Sequence, residues 1–170
     1  MDGPALSARH LAGRFVGALD PRGPAADEES WATGHLGPGE ADLWGRMSGP
    51  DRRHAVAVAG EVVARLGSAA TRPVVAAALL HDVGKVEAGL GTLARVPATL
   101  VGLAAGRERA ARGRGRVARY LRHDAIGAEL LAAAGADPLT VAWAREHHLP
   151  AERWSVDPSL GAALKAADGD

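Results

Sequence analysis

The chain has 170 residues, of which 47% are apolar and 4% aromatic, and its formal net charge at pH 7 is zero. This length suits one domain with a single core, and the balanced charge gives no general attraction to nucleic acids or anionic membranes. The absence of cysteine excludes disulfides and thiolate ligands, so that any metal must be held by imidazole and carboxylate groups.

The first 47 residues are predicted to form an N-terminal extension. Residues 5–19 have the spacing of a short amphipathic helix. Residues 20–39 are rich in proline, glycine and acidic side chains, a composition typical of a loop or a partly disordered arm. We expect Trp31, Leu36 and Trp44 to pin this arm to the rest of the protein.

A helical domain is predicted to cover residues 48–170. Ser48 is the expected N-cap of its first helix, with Pro50 in the first turn and Asp51 at the capping-box position. Apolar residues then recur at helical spacing as far as Leu66.

The next helix is predicted to begin within residues 71–73 and to continue until Gly84. Its sequence, "VVAAALLHDV", is apolar on nearly all sides, which indicates a central position. His81 and Asp82 stand at its end, and burying such groups costs several kcal/mol unless they are paired or coordinate something. This doublet is therefore the first candidate for a functional site.

The second half of the chain is predicted to form further helices. Residues 92–105 are predicted to be helical with a kink or restart at Pro97, residues 106–115 to be a solvated connection, and residues 116–134 to be one helix. Two more helices are predicted to begin at Asp137-Pro138 and Asp157-Pro158, where the aspartate is the N-cap and the proline the first helical residue. No useful stretch has strand periodicity, so the predicted fold class is all-α.

Histidines and aspartates recur in one pattern along these helices: each lies at the inner face or the end of a helix. Singly, each has an ordinary explanation, such as a core histidine with one hydrogen bond, a helix C-terminal cation or a solvated carboxylate. Together, packed helices would bring them toward one point, where they suit Fe, Mn, Zn, Ni or Co rather than Ca. The residues are His54, His81, Asp82, His123, His147, His148 and Asp168. The small Gly127, on the same face as His123, would let a neighbouring helix or a ligand come close.

This order resembles a known family. His54, then His81-Asp82, then Asp168 is similar to the H…HD…D signature of the HD superfamily of metal-dependent phosphohydrolases, and "HDVGK" resembles its doublet segment. "HDAIGAELL" and "REHH" resemble the "HPxxGAxLL" and "HH" segments of HD members that bind two metals. The resemblance extends from Asp51 to Asp168 and implies a single helical HD-domain bundle behind the N-terminal extension.

The resemblance also implies a ligand set. A first metal would be held by His54, His81, Asp82 and Asp168, and Asp82 would bridge to a second metal held by His123 and one or both of His147 and His148. Two ions are expected, Fe or Mn first, with Zn, Ni or Co as alternatives. Asp82 and Lys85 would be the catalytic residues, with Lys85 stabilising the phosphate or a leaving oxygen; the alternative for Lys85 is an exposed lysine at a helix end.

Two features separate the chain from parts of that family. Asp124 stands where the "HPxxG" segment has proline. After the double histidine the chain reads "HHLPAERW", unlike the "HHERxDGxGYP" pattern of the HD-GYP branch that cleaves cyclic di-GMP. Cyclic dinucleotides are therefore not the expected substrates.

Arginines supply candidate phosphate-binding groups. Arg52 and Arg53 directly precede His54, and guanidinium groups pair well with phosphate; the alternative is a pair of surface arginines. Seven arginines also fall within residues 107–122, which we interpret as a solvated loop and helix face. Aromatic residues are nearly absent there, so a nucleic-acid partner is not expected.

The function predicted from the sequence is hydrolysis of a phosphate ester, a nucleotide or a related small molecule, by hydroxide activated on metal. The alternatives are a catalytically silent, nucleotide-binding regulatory HD module and an HD-type di-iron oxygenase. No apolar run approaches the roughly 18 residues of a membrane span, and the N-terminus lacks a signal pattern. A cytoplasmic protein with no membrane partner is expected, and a homodimer is compatible with the sequence.

Overall fold

A computed structural model describes residues 20–88 and 113–169. Within these ranges the protein contains eight α-helices and no strand, which confirms the all-α prediction. The helices are α1 (Ala26–Gly34), α2 (Pro38–Arg46), α3 (Gly49–Leu66), α4 (Arg72–Leu80), α5 (Arg116–Leu121), α6 (His123–Ala133), α7 (Pro138–Glu146) and α8 (Pro158–Asp168). Short 3-10 turns span Gly67–Ala69, Val83–Glu87 and Ala151–Arg153. The predicted helices at residues 5–19 and 92–105 and much of the arginine cluster lie outside the described residues.

Helix α4 is the centre of the bundle, as its all-round apolar sequence predicts. Every residue from Val74 to Leu80 is buried. Helices α3 and α7 pack directly on α4, while α8 packs on α3 and α6 packs on α7. The C-terminal end of α4 therefore lies in the interior of the bundle.

The N-terminal helices α1 and α2 contradict the prediction of a loop over residues 20–39. Asp27, Glu28 and Glu29 fill the first turn of α1, where carboxylates favour the helix dipole, and the Glu28 carboxylate accepts a hydrogen bond from the Ala25 N–H. The proline and glycine residues that suggested a loop lie at the helix boundaries instead, as Pro38 does at the first turn of α2.

The predicted anchors of this segment are confirmed. Leu36 and Trp44 are buried in the same core cluster as α3 and α4, and Trp31 packs against it. The Trp44 indole N–H donates to the Glu29 carboxylate at 2.7 Å, which satisfies its one polar atom. The division into an extension of residues 1–47 and a domain of residues 48–170 stays a prediction, although both parts contribute to one core.

The predicted helix starts are confirmed at three positions. The Ser48 hydroxyl accepts from the Asp51 N–H at the start of α3. Asp137 caps α7 through the Leu139 N–H, and Asp157 caps α8 through the Ser159 and Leu160 N–H groups. Each cap satisfies backbone donors that have no partner within the helix.

Two predicted helix extents are wrong. Helix α4 ends at Leu80, not at Gly84, because the backbone at Asp82 (φ −98°, ψ 6°) leaves the helical region. The single helix predicted over residues 116–134 is two helices, since Arg122 (φ −104°, ψ 14°) breaks it. None of the described helices has the length and apolar character needed to cross a membrane.

Candidate metal centre

The seven residues predicted as metal ligands all lie in one cluster. They come from five parts of the fold: the first half of α3, the end of α4, the start of α6, the end of α7 and the last residue of α8. The breaks in the helical backbone at Asp82 and Arg122 lie at or beside these positions. Those residues are His54, His81, Asp82, His123, His147, His148 and Asp168.

The cluster is closed on most sides. His81, Asp82, His123, His147 and Asp168 are buried. His54, whose side chain is 33% exposed, and the half-buried His148 face the opening. Among the seven residues of the cluster, these two histidines are therefore the most accessible.

Backbone carbonyls hold three of the histidines in one orientation. The Nδ1 atoms of His81, His123 and His147 lie 2.9, 2.7 and 2.9 Å from the carbonyl oxygen three residues earlier in each case. A carbonyl oxygen only accepts hydrogen bonds, so each Nδ1 carries the proton. Each Nε2 is then directed into the cluster, and metal-ligating histidines are commonly held in this way by a hydrogen bond from the other ring nitrogen.

The first group of donors, which we call the carboxylate half, consists of His54, His81 and Asp168. The Nε2 of His54 lies 3.0 Å from Asp168 Oδ1. The Nε2 of His81 lies 3.6 Å from that oxygen and 3.5 Å from Asp82 Oδ2. His54, His81 and Asp82 together can present ligand atoms that all lie within 4.8 Å of one another.

The second group, the imidazole half, consists of His123, His147 and His148. The Nε2 atoms of His123 and His148 lie 3.2 Å apart. The Nε2 of His123 is 3.1 Å, and that of His147 is 3.9 Å, from Asp82 Oδ1. These three imidazoles also form a group within 4.8 Å.

Asp82 stands between the two halves. Its Oδ1 faces His123 and His147 of the imidazole half, whereas its Oδ2 faces His81 of the carboxylate half. One carboxylate thus offers one oxygen to each group of imidazoles, which is the arrangement that a bridging ligand requires.

Both buried carboxylates are ionised. Burial alone would raise the pKa of Asp82, but the ammonium of Lys85 and the imidazoles of His81 and His123 hold it well below its ordinary value. Burial would also raise the pKa of Asp168, but the imidazoles of His54 and His81 outweigh this effect and lower that pKa. The cluster therefore carries two fixed negative charges in a largely closed space.

Two imidazoles in the cluster have opposite pKa shifts. Burial lowers the pKa of His81, but the carboxylates of Asp82 and Asp168 outweigh it and raise that pKa to about 9. Burial, together with charge on His81, lowers the pKa of His147 to about 3. A proton at His81 and a metal ion would compete for the same Nε2 lone pair.

The donor atoms fit a metal. Among the described residues, the buried Nε2 atoms of His81 and His147 have no hydrogen-bond partner, and a buried polar atom without a partner is costly. A metal ion that replaced the proton on His81 would coordinate both nitrogens and offset the charge of the two carboxylates. The 3.2 Å between His123 Nε2 and His148 Nε2 also matches the roughly 3.0–3.4 Å expected between two nitrogens bound at about 2.1 Å to one ion.

Lys85 belongs to the site. Its ammonium is paired with Asp82 Oδ2, and its side chain is 18% exposed. Burial lowers its pKa, but Asp82, Tyr120 and Asp51 together raise it, so Lys85 is a cation. The alternative of a solvated lysine at a helix end does not describe this position.

Arg52 and Arg53 are not brought to the cluster. The Arg52 guanidinium donates to Glu29 Oε1 at 2.8 Å, and the Arg53 guanidinium donates to the backbone carbonyls of Arg22 and Asp20. Both side chains thus contact the N-terminal segment. A role for them in binding phosphate stays a prediction.

Two residues near the cluster were missed by the sequence analysis. Tyr120 supplies the carbonyl that orients His123, and its ring lies 5.7 Å from the His123 ring. Gly84 lets the turn after the doublet contact α6: a Cβ there would lie 1.9 Å from the His123 carbonyl oxygen. The predicted close approach at Gly127 is confirmed, because its partner is Gly84.

Comparison with known proteins identifies one family. The family model described as HD domain matches residues 53–169, which is more than half of the chain and contains every residue of the cluster. No curated protein matches the chain. No solved structure matches it either.

Proposed function

Because the chain belongs to the HD domain family, we propose that it is a metal-dependent phosphohydrolase acting on a phosphate ester, a nucleotide or a related small molecule. That family consists mostly of metal-dependent phosphohydrolases. The observation that carries the proposal is the Asp82 carboxylate, which presents one oxygen to each of two groups of imidazole nitrogens.

The ligands proposed for two divalent transition-metal ions are the two halves of the centre with Asp82 between them. In such a site the ions supply a water acidified to a pKa near 7, and they offset charge on the phosphoryl oxygens. The fixed Nδ1–H···O=C bonds keep His81, His123 and His147 from turning away, so the protein pre-orients three of the ligands.

Lys85 has two proposed roles. It holds Asp82 by an ion pair, and its ammonium, on a side chain that is 18% exposed, would donate a hydrogen bond to a phosphoryl oxygen of the substrate. Charge-assisted donors of this kind contribute most where charge builds up in the transition state. The exposed edge of His54 marks the side from which the substrate would enter.

The test is hydrolysis by the protein loaded with manganese or iron, using bis(p-nitrophenyl) phosphate, p-nitrophenyl phosphate and a panel of nucleotides. We expect turnover that is lost on chelation and in Asp82→Asn, which keeps the shape of the side chain but removes its charge. Asp157→Asn is the matched control, because asparagine caps a helix as well as aspartate does and Asp157 lies outside the cluster.

Other outcomes would favour other functions. A nucleotide that raises the melting temperature without being hydrolysed would indicate a regulatory module. Oxygen consumption by the iron-loaded protein without phosphate release would indicate an oxygenase. In either case the hydrolase proposal would be wrong.

A further inference from the structure

We propose that the chain binds a free amino acid at a second site, apart from the metal centre. The site is a cavity of about 310 Å³ at the start of α4, whereas His81 and Asp82 of the centre follow the end of that helix. The nine residues of α4 separate its two ends by about 12 Å. The inference therefore goes beyond the proposed function and does not depend on it.

Contacts between helices hold the walls of the cavity in place. The Arg72 Nε–H donates to the His35 carbonyl at 3.1 Å, which joins the start of α4 to the residue after α1. The Thr140 hydroxyl of α7 donates to the Pro73 carbonyl of α4 at 3.2 Å. Gly39 of α2 approaches the end of α6 so closely that a Cβ there would lie 2.5 Å from a backbone carbonyl oxygen. The cavity is thus a formed part of the fold, and its volume is at the lower end of the range for small-molecule sites.

Charged side chains of both signs line the cavity without pairing with one another. Glu40 and Asp137 each use one carboxylate oxygen to accept from a backbone N–H, at 2.7 and 2.8 Å. Among the described residues, their other oxygens accept no hydrogen bond, and the Arg72 guanidinium forms no ion pair. Glu40 is the strongest indication of a ligand, because it is only 8% exposed and a buried charge is costly unless it is paired.

These charges favour a ligand that carries both signs. Arg72 opposes a bare cation, and the two carboxylates oppose a bare anion. The first turn of α4 has no acidic residue and no side-chain cap, so the positive end of its dipole adds to Arg72. A carboxylate of the ligand would pair with Arg72 there, and an ammonium would pair with Glu40 and Asp137. A free amino acid carries these two groups on one small molecule.

The test is isothermal titration calorimetry of the manganese-loaded chain with the common amino acids. Any that binds is compared with its N-acetyl derivative, which lacks the ammonium, and with its amide, which lacks the carboxylate. Both derivatives should bind about 10-fold more weakly or worse, the usual cost of losing a hydrogen bond to a charged group. Arg72→Met and Glu40→Gln should lower the affinity by a similar factor. Glutamine can still accept from the Gly37 N–H, so Glu40→Gln should keep the start of α2 intact.

The matched control is Arg65→Met, which removes an arginine from an exposed ion pair with Glu61 on α3; it should bind the amino acid as the wild type does. Asp82→Asn should also bind it, because Asp82 belongs to the metal centre. Loss of binding in Asp82→Asn would show that the amino acid coordinates the metal instead, and would overturn the proposal. So would the absence of binding by any amino acid, or unchanged affinity in both Arg72→Met and Glu40→Gln. A chain that binds an amino acid without hydrolysing phosphate esters would keep this inference and remove the proposed function.

Discussion

At the scale of single residues, the backbone decides which nitrogen of each buried histidine faces the cluster. His81, His123 and His147 each follow the same local rule: the carbonyl three residues earlier accepts from Nδ1. The rule works because each histidine lies at or just beyond a helix terminus, where the side chain can reach that carbonyl. These three imidazoles are therefore oriented by the backbone itself.

Lys85→Met separates metal binding from turnover. The ammonium is paired with Asp82 Oδ2 but contributes no lone pair to an ion, so we expect the metal content to be unchanged or higher. Hydrolysis should fall about 100-fold or more, the usual cost of removing one charge-stabilising donor. Elemental analysis and kcat/KM of the same samples measure both. Arg46→Met, which removes an exposed ion pair with Glu87, is the control. Full activity in Lys85→Met would show that Lys85 has no catalytic role.

The metal-free protein should be most stable near pH 6.5. The folded pKa of His81 is raised to about 9 from 6.5, so its contribution is full below pH 6.5 and is lost as the pH rises through about 9. The folded pKa of His147 is lowered to about 3, so the folded chain keeps this imidazole neutral while the unfolded chain protonates it. The folded state therefore loses stability as the pH falls from 6.5 toward 3. Both losses of stability begin at pH 6.5, which is the pKa of either histidine in the unfolded chain.

Urea denaturation of chelator-treated protein between pH 4 and 9 measures this profile. His81→Gln should flatten the alkaline side of the profile, and His147→Gln should flatten the acidic side. Stability that keeps rising between pH 6.5 and 9 would contradict the assigned shift at His81.

That these histidines and aspartates would lie together could be predicted from the sequence, but the contacts between them could not. Helical spacing placed His54 and Asp168 on inner faces, yet the 3.0 Å contact between them joins residues 114 positions apart. Nothing local specifies such a contact. The same holds for Arg52 and Arg53, whose position beside His54 suggested phosphate but whose guanidinium groups turn toward the N-terminal segment.

At the scale of the elements, one close backbone contact positions His81 and Asp82. The 3-10 turn Val83–Glu87 packs on α6, and it can do so because Gly84 and Gly127 face each other. A Cβ on Gly84 would lie 2.6 Å from the Gly127 nitrogen. This contact fixes the distance between His81-Asp82 and His123, and hence between the two halves.

Gly84→Ala should therefore disrupt the site and the fold together. The added methyl would meet backbone atoms, which cannot move as a side-chain end can, so we expect a loss of about 3 kcal/mol, the upper end of overpacking effects. Gly60→Ala is the matched control, because Gly60 is exposed in α3 with nothing within 4 Å of the added atom. It should gain about 0.5–1 kcal/mol from helix propensity. Thermal melts of both variants test this, and equal melting temperatures would contradict it.

The ends of the helices could be predicted less well than the presence of the helices, because tertiary contacts decide where some helices end. Residues 116–134 have continuous helical propensity, but the helix breaks at Arg122. Next to this break, the His123 ring contacts the Tyr120 carbonyl and the His123 backbone packs against Gly84. Tertiary contact overrides local preference there. By contrast, the caps at Asp137 and Asp157 were predictable, because capping is a local bond between neighbouring residues.

At the scale of the whole molecule, the centre joins parts of the chain that are distant in sequence. Its donors come from α3, α6 and α8 and from the ends of α4 and α7. Without a metal ion, the two ionised carboxylates lie in the interior beside the Nε2 atoms of His81 and His147, which have no hydrogen-bond partner. An ion bound there would stabilise only the folded chain, since the unfolded chain does not bring these donors together.

Metal binding should consequently raise the melting temperature of the whole domain. At a free ion concentration of 100 times Kd, linkage gives about 2.7 kcal/mol, which corresponds to about 5–10 °C for a chain of this size. Differential scanning fluorimetry with Mn²⁺ or Zn²⁺, reversed by a chelator, measures the shift. Ca²⁺ is the matched control, because it prefers oxygen ligands and should give little change. An equal shift with Ca²⁺ would mean that surface carboxylates bind the ions, since a centre with five imidazoles discriminates strongly against that ion.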